Sequence, residues 1–180
     1  MENDSKMQGI VKKLNQIYKM GYVASRGKQK YNYKTTLVTN CFGHACFNLN
    51  NKNLRALDSV KYELQDFFRN FSGINGRGFF EKAKYKIRQV GLTIEESSLS
   101  EKINKNQWKI AYYVQDDIFR GNDLHFMIQE KNGTWTSKLG SSSKIEVFDE
   151  LPEVYRDSYE LAGIYVITNP YVKTEEEMEY

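Results

Sequence analysis

A cysteine opens an apolar, helix-like run in the stretch Thr39-Asn40-Cys41-Phe42-Gly43-His44-Ala45-Cys46-Phe47-Asn48-Leu49, directly after a polar segment. A second stretch, Asp123-Leu124-His125-Phe126-Met127-Ile128-Gln129, carries a histidine in an alternating pattern that predicts a strand. The dipole at a helix start favours a thiolate, and a neighbouring imidazolium lowers the thiol pKa further. Cys41 and His125 are therefore candidates for the nucleophile and general base of a thiol-dependent hydrolase.

Length and composition bound the class of protein. A chain of 180 residues with 10 Phe, 13 Tyr and 2 Trp is long enough for one domain with a substantial core. No stretch has the apolar length of a signal peptide or a membrane span, so we expect a cytoplasmic protein without a membrane partner. Cys41 and Cys46 lie five residues apart, on different sides of a helix, which argues against a disulfide and fits a reducing compartment.

Charge is distributed unevenly along the chain, although the formal net charge is only +3. Residues 1–36 carry eight Lys or Arg against two acidic residues, and residues 144–180 carry ten Asp or Glu against three cations. The loop 24–33 mixes cations with tyrosines, a composition that binds single-stranded nucleic acid. The basic N-terminal region is a candidate nucleic-acid contact, while charged ends that attract each other or stay solvated are the simpler interpretation.

Periodicity predicts helices in the first half of the chain and strands in the second. Helical spacing of apolar residues covers residues 7–20, 54–71 and 79–90, and Gly21 and Gly91 end the first and third helices. Strand patterns follow at residues 92–94, 108–114, 124–129, 134–138 and 163–168, with Asn132-Gly133 as a two-residue hairpin signal. This order predicts an α+β fold in which the helices cover one face of an antiparallel sheet.

Two motifs carry a resemblance to a known group. Asn40-Cys41-Phe42-Gly43-His44-Ala45 resembles the Asn-Cys-Tyr-Ala-Tyr-Ala stretch of small bacterial and phage papain-like proteins, which are similar in layout to NlpC-like cell-wall peptidases. Asp123-Leu124-His125-Phe126 and Asn132-Gly133-Thr134-Trp135-Thr136-Ser137-Lys138 resemble that group's Asp-Tyr-His-Phe and Asn-Gly-x-Trp-Ser-His-Lys. The resemblance covers residues 38–50 and 107–168. It implies a papain-like domain over 37–170, with a basic helix and loop extension over 1–36 and an acidic tail over 171–180.

By that resemblance Cys41 is the catalytic nucleophile and His125 the general base. In the NlpC-like layout a polar residue, usually His, lies twelve positions beyond the catalytic His and orients its ring. Ser137 occupies that position here. A serine hydroxyl accepts the imidazole N–H but gives an imidazolium no charge stabilisation. Asn169 and Asp149 are alternative orienting residues.

The remaining reactive residues have simpler interpretations. We expect Cys46 in the core and Trp135 in the packing of the hairpin, because cysteine and tryptophan are usually buried. His44 follows Cys41 on the same helix, where it is poorly placed to share a substrate-facing thiol. The spacing of Cys41, His44 and Cys46 matches no familiar zinc site, and the sequence has no phosphate loop or dinucleotide fingerprint. We therefore expect no metal and no cofactor.

Two functions stay open at this point. The first is a peptidase or amidase that acts on an intracellular protein or peptide through a thioester at Cys41. The alternative is a catalytically weak or inactive scaffold, a phage or mobile-element binding protein that inhibits a host protein or nucleoprotein defence complex. Ser137 at the orienting position and the uneven charge favour this alternative.

Overall fold

The computed structural model describes residues 2–23, 33–36, 38–69, 76–117, 119, 121–140 and 142–173. The helices are α1 (Glu2–Lys19), α2 (Tyr33–Thr36), α3 (Cys41–Cys46), α4 (Asn51–Ala56), α5 (Lys61–Arg69) and α6 (Gly76–Gln89), with a 3-10 turn at Asp58–Val60. The strands are β1 (Thr93–Glu96), β2 (Gln107–Asp117), β3 (Gly121–Gln129), β4 (Trp135–Lys138), β5 (Ile145–Phe148), β6 (Val154–Tyr155) and β7 (Tyr159–Thr168). Helices precede strands, as the sequence predicts.

Helix α1 contributes directly to the core. Its apolar stripe buries Ile10, Leu14 and Tyr18 in the same hydrophobic cluster as the residues of α3. The Tyr18 hydroxyl donates to the Phe47 carbonyl oxygen at 2.5 Å, which ties α1 to the end of α3. Gly21 follows the helix with φ +83°, the left-handed conformation that ends many helices. The predicted first helix is confirmed, while its separation as an extension stays a prediction.

The second predicted helix is interrupted. One continuous helix over residues 54–71 is wrong, because α4 ends at Ala56 and α5 begins only at Lys61, with the 3-10 turn between them. Leu57 leaves the helical region (φ −98°, ψ 7°), and the following Asp58 belongs to a residue type that favours caps over helix interiors. The apolar face continues across this interruption, since the following residues are all buried: Leu54, Leu57, Leu64, Phe67 and Phe68.

The strands form one antiparallel sheet in the order β1-β7-β2-β3-β4-β5, and β6 pairs with β7. One face packs under the helices and carries Trp108, Ile110, Tyr112, Phe126 and Ile128. The opposite face carries a second cluster made of Ala111, Tyr113, Met127, Trp135 and Tyr155. Alternate residues of β2 and β3 therefore face different clusters, and the predicted α+β architecture with helices on one face is confirmed.

The hairpin between β3 and β4 is present, but its loop is longer than predicted. The Glu130 N–H donates to the Thr134 carbonyl at 2.7 Å, and the Gly133 N–H donates to the Glu130 carbonyl at 2.9 Å. Three residues, 131–133, therefore close the turn, with Gly133 at φ +88°. This is the three-residue hairpin that needs glycine at its last position.

Two strands were not predicted from the sequence. The short strands β5 and β6 lie at residues 145–148 and 154–155, and β7 begins four residues earlier than predicted. Within the described part of the chain, no helix combines the length and the apolar character that a membrane span requires.

Candidate active site

Cys41 is the first residue of α3, and Asn40 fixes that start. The Asn40 side-chain oxygen accepts from the Gly43 N–H at 3.1 Å, as an N-cap residue does. Its amide nitrogen donates to the Phe68 carbonyl at 3.1 Å. Both ends of the Asn40 side chain are thus engaged, which sets the position of the cysteine relative to α5.

Gly43 allows α3 to pack closely against its surroundings. A Cβ atom at this position would lie 1.9 Å from the Thr39 hydroxyl and 2.9 Å from the Phe68 ring. No ordinary side chain fits at such distances. The glycine two residues after Cys41 is therefore required by packing and explains why this small residue occurs in an otherwise bulky run.

Cys41 lies where two neighbouring strands separate. Strands β3 and β4 pair only at Ile128–Thr136 and Gln129–Trp135. Further along β3, the Phe126 backbone N–H donates to the Cys41 thiol. The start of α3 therefore enters the gap between the two strands, and the thiol lies next to the residue that follows His125 in β3.

A buried lysine holds the segment before the cysteine in place. Lys138, in β4, is fully buried, and its Nζ donates to the carbonyl oxygens of Thr36 and Thr39 at 3.0 Å each and of Gly140 at 2.5 Å. Three acceptors match the three donors of an ammonium group. Burial lowers the pKa of Lys138 to about 8, with a smaller effect from Arg69.

The Cys41 thiol is not activated in the way the sequence predicts. Although Cys41 is half-buried as a residue, desolvation of the sulfur raises its pKa to about 11. The backbone N–H of Phe126 lowers the thiol pKa and the carboxylate of Asp123 raises it, both by less than burial does. The expected lowering of the thiol pKa is wrong because the helix start is buried against the sheet. The thiol is protonated at neutral pH.

His125 is buried on the sheet face opposite the helices. Its Nε2 lies 2.5 Å from the Ser137 hydroxyl, so the structure has the contact that the twelve-residue spacing predicts. The imidazole stacks on the Tyr155 ring, with centroids 4.4 Å apart and planes 12° from parallel. Burial, together with a smaller effect of the Arg156 cation, lowers the pKa of His125 to about 3. The ring is neutral at neutral pH.

Neutral thiol and neutral imidazole define the resting state of the site. Among the described residues, the charged side chains Asp123 and Lys138 act on Cys41, and Arg156 acts on His125. With Nε2 engaged by Ser137, Nδ1 is the ring nitrogen through which His125 can take a proton from a thiol. The arrangement suits general-base assistance to a thiol rather than a preformed ion pair.

The other histidine and cysteine lie away from this arrangement. His44 Nε2 is 3.1 Å from the Thr136 hydroxyl on the helix-covered face, and that hydroxyl donates to Glu130 at 2.5 Å. Cys46 is fully buried in the main core, as predicted. Both cysteines are free thiols.

The alternative orienting residues do not approach His125. Asn169 donates to the carbonyl oxygens of Tyr18 and Tyr22 at 2.9 Å each, so it holds the end of α1. Asp149 lies on the exposed segment after β5. Trp135 is buried in the second cluster, in agreement with its predicted packing role.

Sequence reasoning missed four residues around the histidine. Tyr155 stacks on it, Tyr159 meets it edge-on at 6.1 Å between centroids, and Glu146 accepts from the Tyr155 hydroxyl. Asp123 accepts from the Tyr159 hydroxyl at 2.7 Å. Of these four residues, only Asp123 could have been found from the sequence, because it lies in the motif just before His125. The others lie on or beside strands that the sequence pattern did not reveal.

Among the described residues, no group of three or more His, Cys, Asp or Glu side chains is arranged to hold a metal ion. The loop with cations and tyrosines predicted to contact nucleic acid falls mostly at residues 24–32, and most of the acidic tail at residues 174–180; both lie outside the described residues.

A family model described as "Domain of unknown function (DUF7689)" matches residues 32–160, which include α3, His125 and Ser137. The chain belongs to this family. No curated protein and no solved structure matches it. The matched segment begins before α2 and ends inside β7, so it holds every residue of the candidate site discussed above.

Proposed function

We propose that this family member is a papain-like cysteine hydrolase, a peptidase or amidase with an intracellular target, in which Cys41 is the nucleophile and His125 the base. One observation carries the proposal. The Cys41 thiol accepts from the backbone N–H of Phe126, next to His125, whose Nε2 contacts Ser137. A thiol at a helix start, an imidazole on the strand beside that helix and a third residue that contacts this imidazole are the parts that thiol acyl transfer needs.

The chemistry starts from neutral groups. His125 Nδ1 takes the proton of the Cys41 thiol while the sulfur attacks the carbonyl carbon of a peptide or amide. The protonated ring then returns this proton to the leaving amine as the C–N bond breaks, leaving a thioester on Cys41. Water, deprotonated by the same nitrogen, attacks the thioester and releases a carboxylic acid and the thiol. Burial disfavours the separated charges, so the rate depends on substrate binding that stabilises the developing ion pair.

The direct test is a rapid-quench search for an acyl-enzyme. The protein is mixed with p-nitrophenyl acetate and with a mixture of short peptide amides, quenched in acid and examined by mass spectrometry of its peptides. Acyl groups are expected on Cys41, and they should disappear in Cys41→Ala and fall sharply in His125→Gln. Cys46→Ala is the matched control and should keep the acylation. Hydrolysis that persists in Cys41→Ala contradicts the proposal.

A second candidate is favoured by the protonation state of the site. Cys41 and His125 are both neutral at rest, and Ser137 is uncharged, so the scaffold lacks the ion pair of an activated thiol. This supports a binding protein on the same fold, directed at a host protein or nucleoprotein complex. Its test is a pulldown with wild-type and Cys41→Ala protein, plus titration with single-stranded RNA and DNA at two salt concentrations. Partner capture that is lost in Cys41→Ala contradicts a role independent of the thiol.

A further inference from the structure

We propose that Lys86 is a nucleophilic amine that captures a small aldehyde with an apolar body, as an imine, in a groove between α1, α5 and α6. The groove has a volume of about 740 Å³, and Lys86 of α6 is one of the residues that line it. Cys41 does not line this groove, so the inference goes beyond the proposed hydrolase and stands apart from it.

Apolar side chains of two helices line the groove together with Lys86. Met7 and Val11 of α1 are partly buried against the core, and Phe67 of α5 is buried. The Lys86 Nζ lies 5.1 Å from the centre of the Phe67 ring. A molecule that approaches this amine therefore meets apolar surface, which favours a ligand with an apolar body.

Lys86 is buried, yet it keeps contact with the groove. Its exposed fraction is 7%, and its Nζ donates to the Phe67 carbonyl oxygen. This carbonyl belongs to the last turn of α5, where the helix itself supplies no donor, so the simplest role of Lys86 is to cap that helix. The cap does not require a charged amine. A neutral amine also has N–H groups to donate, and it keeps a lone pair for attack on a carbonyl carbon.

The surroundings of Lys86 favour the neutral amine. Burial lowers its pKa to about 8, and the Lys82 cation, one turn earlier on α6, adds a smaller effect in the same direction. The other titratable residues that line the groove are Asp4, Lys12, Asp66 and Tyr85. At pH 7 about a tenth of the Lys86 amines are therefore neutral, against fewer than about one in a thousand for a lysine with the ordinary pKa of 10.5. A desolvated amine beside a second cation is the arrangement that activates lysine for imine formation.

Lys138 shows that a lowered pKa does not make such a site by itself. Burial lowers the pKa of Lys138 to about 8 as well, but this side chain is fully buried and its Nζ donates to three backbone carbonyl oxygens. Lys86, in contrast, lines an open groove. Access to the amine, together with its protonation state, is what distinguishes Lys86.

Imine formation at Lys86 needs no oxidant or reductant. The lone pair of Nζ attacks the carbonyl carbon, and one N–H proton passes to the carbonyl oxygen to give a carbinolamine. The new hydroxyl group then takes a proton from the solvent and leaves as water, while the nitrogen lone pair forms the C=N bond. The product is a protonated imine, and addition of water returns the aldehyde and the amine.

The test traps the imine and reads its position. The folded protein is incubated near pH 7 with benzaldehyde and sodium cyanoborohydride, which reduces the imine to a stable benzylamine, and its peptides are analysed by mass spectrometry. Lys86 is expected to be benzylated at least about tenfold faster than Lys84, a partly exposed lysine of the same helix, because more of the Lys86 amine is neutral. Lys138 should stay unmodified. Equal rates at Lys86 and Lys84, or faster benzylation of Lys138 than of Lys86, overturn the proposal.

Lys82→Gln tests the electrostatic effect in a chain that keeps the Lys86 amine. Loss of the neighbouring cation should raise the pKa of Lys86 and slow its benzylation at pH 7, by less than about tenfold because burial is the larger cause. Lys84→Gln is the matched control, because Lys84 pairs with Glu81, and it should leave the rate at Lys86 unchanged. An unchanged or faster rate in Lys82→Gln contradicts the proposal.

A smaller aldehyde tests the apolar body of the ligand. Formaldehyde has no such body, so the preference for Lys86 over Lys84 should be greater with benzaldehyde than with formaldehyde under the same conditions. An equal preference with both aldehydes rules out the apolar ligand and, with it, the proposed use of the groove.

Discussion

The two histidines of this chain, one in α3 and one in β3, each contact a hydroxyl group of β4, on opposite faces of that strand. His44 contacts Thr136 on the helix-covered face, and the Thr136 hydroxyl leads to Glu130. His125 contacts Ser137, the next residue of β4, on the other face, and stacks on Tyr155, whose hydroxyl donates to Glu146. Each imidazole thus contacts a hydroxyl group of β4.

What distinguishes the two histidines is their relation to the thiol. His44 belongs to α3 itself and is packed into the main core, whereas His125 lies beside the gap between β3 and β4 that receives Cys41. A hydroxyl contact is therefore a way to satisfy a buried histidine, and it does not mark a base by itself. The place of His125 in β3, one residue before Phe126, whose backbone N–H lowers the pKa of the Cys41 thiol, is what supports the proposed role.

Exchange of each histidine for glutamine gives the largest expected contrast. His125→Gln should lower the rate of Cys41 acylation by about a hundredfold or more, the usual effect of losing a general base. His44→Gln should leave that rate within about tenfold and lower the free energy of unfolding by about 1–3 kcal/mol, because a buried polar contact is disturbed. Rapid-quench acylation and urea denaturation measure both. Equal losses of acylation in the two variants would remove the distinction.

Gly43→Ala tests the close packing of α3, which carries His44, against Thr39 and Phe68. The new methyl group would meet the Thr39 hydroxyl and the Phe68 ring, so we expect a loss of about 2 kcal/mol in unfolding free energy. Gly9→Ala in α1 is the matched control, since nothing lies within 4 Å of its added Cβ. It should be neutral or stabilising by about 0.5–1 kcal/mol. Unchanged stability in Gly43→Ala would mean that α3 is free to shift.

Acid titration sharpens the contrast further. The pKa of His125 in the folded chain is about 3, below the 6.5 of an unfolded histidine, so the unfolded state binds this proton first as the pH falls. Stability should therefore decrease between pH 6.5 and pH 3, with a slope approaching 1.4 kcal/mol per pH unit. Urea denaturation at several pH values measures the slope. His125→Gln should flatten it relative to wild type, and an equal slope in both proteins would contradict the buried neutral ring.

The smallest effect concerns the neighbour of the thiol. Asp123 raises the pKa of Cys41, so Asp123→Asn should lower that pKa and speed iodoacetamide alkylation near pH 8, by less than about tenfold because burial is the larger cause. Asparagine keeps an acceptor for the Tyr159 hydroxyl. Asp116→Asn, on the exposed end of β2, is a control and should leave the rate unchanged. Slower alkylation in Asp123→Asn would reverse the assigned sign.

Much of the frame could be predicted from the sequence because it rests on local periodicity. Helices α1 and α6 and strands β1 to β4 follow from periodicity, and the hairpin at Gly133 follows from its turn signal. The contact of Ser137 with His125 was expected only from the family resemblance. The interruption at Leu57 depends on a single residue that leaves the helical region. The apolar spacing over residues 54–71 continues across this residue, so the sequence pattern does not show the break. The existence of a helix was easier to predict than its continuity.

The surroundings of the candidate site could not be predicted, for physical reasons. Strand β5 is partly exposed on both faces and β6 has two residues, so neither has an alternating pattern. The sequence therefore could not show that Glu146 of β5 and Tyr155 of β6 lie near His125. The sign of the Cys41 pKa shift depends on how deeply the helix start enters the gap in the sheet. Desolvation of that kind is a property of the packed chain, and the helix-dipole argument from the sequence omits it.

The three carbonyl contacts of Lys138 also bear on the order in which the chain acquires this site. Two of them reach back 102 and 99 residues, to Thr36 and Thr39 just ahead of the cysteine. Contacts at such separation form late, because a long loop must close before they stabilise anything. We therefore expect the segment before Cys41 to be fixed in place only when β4 docks, so that a nascent or partly folded chain lacks the arrangement around Cys41 seen in the folded protein.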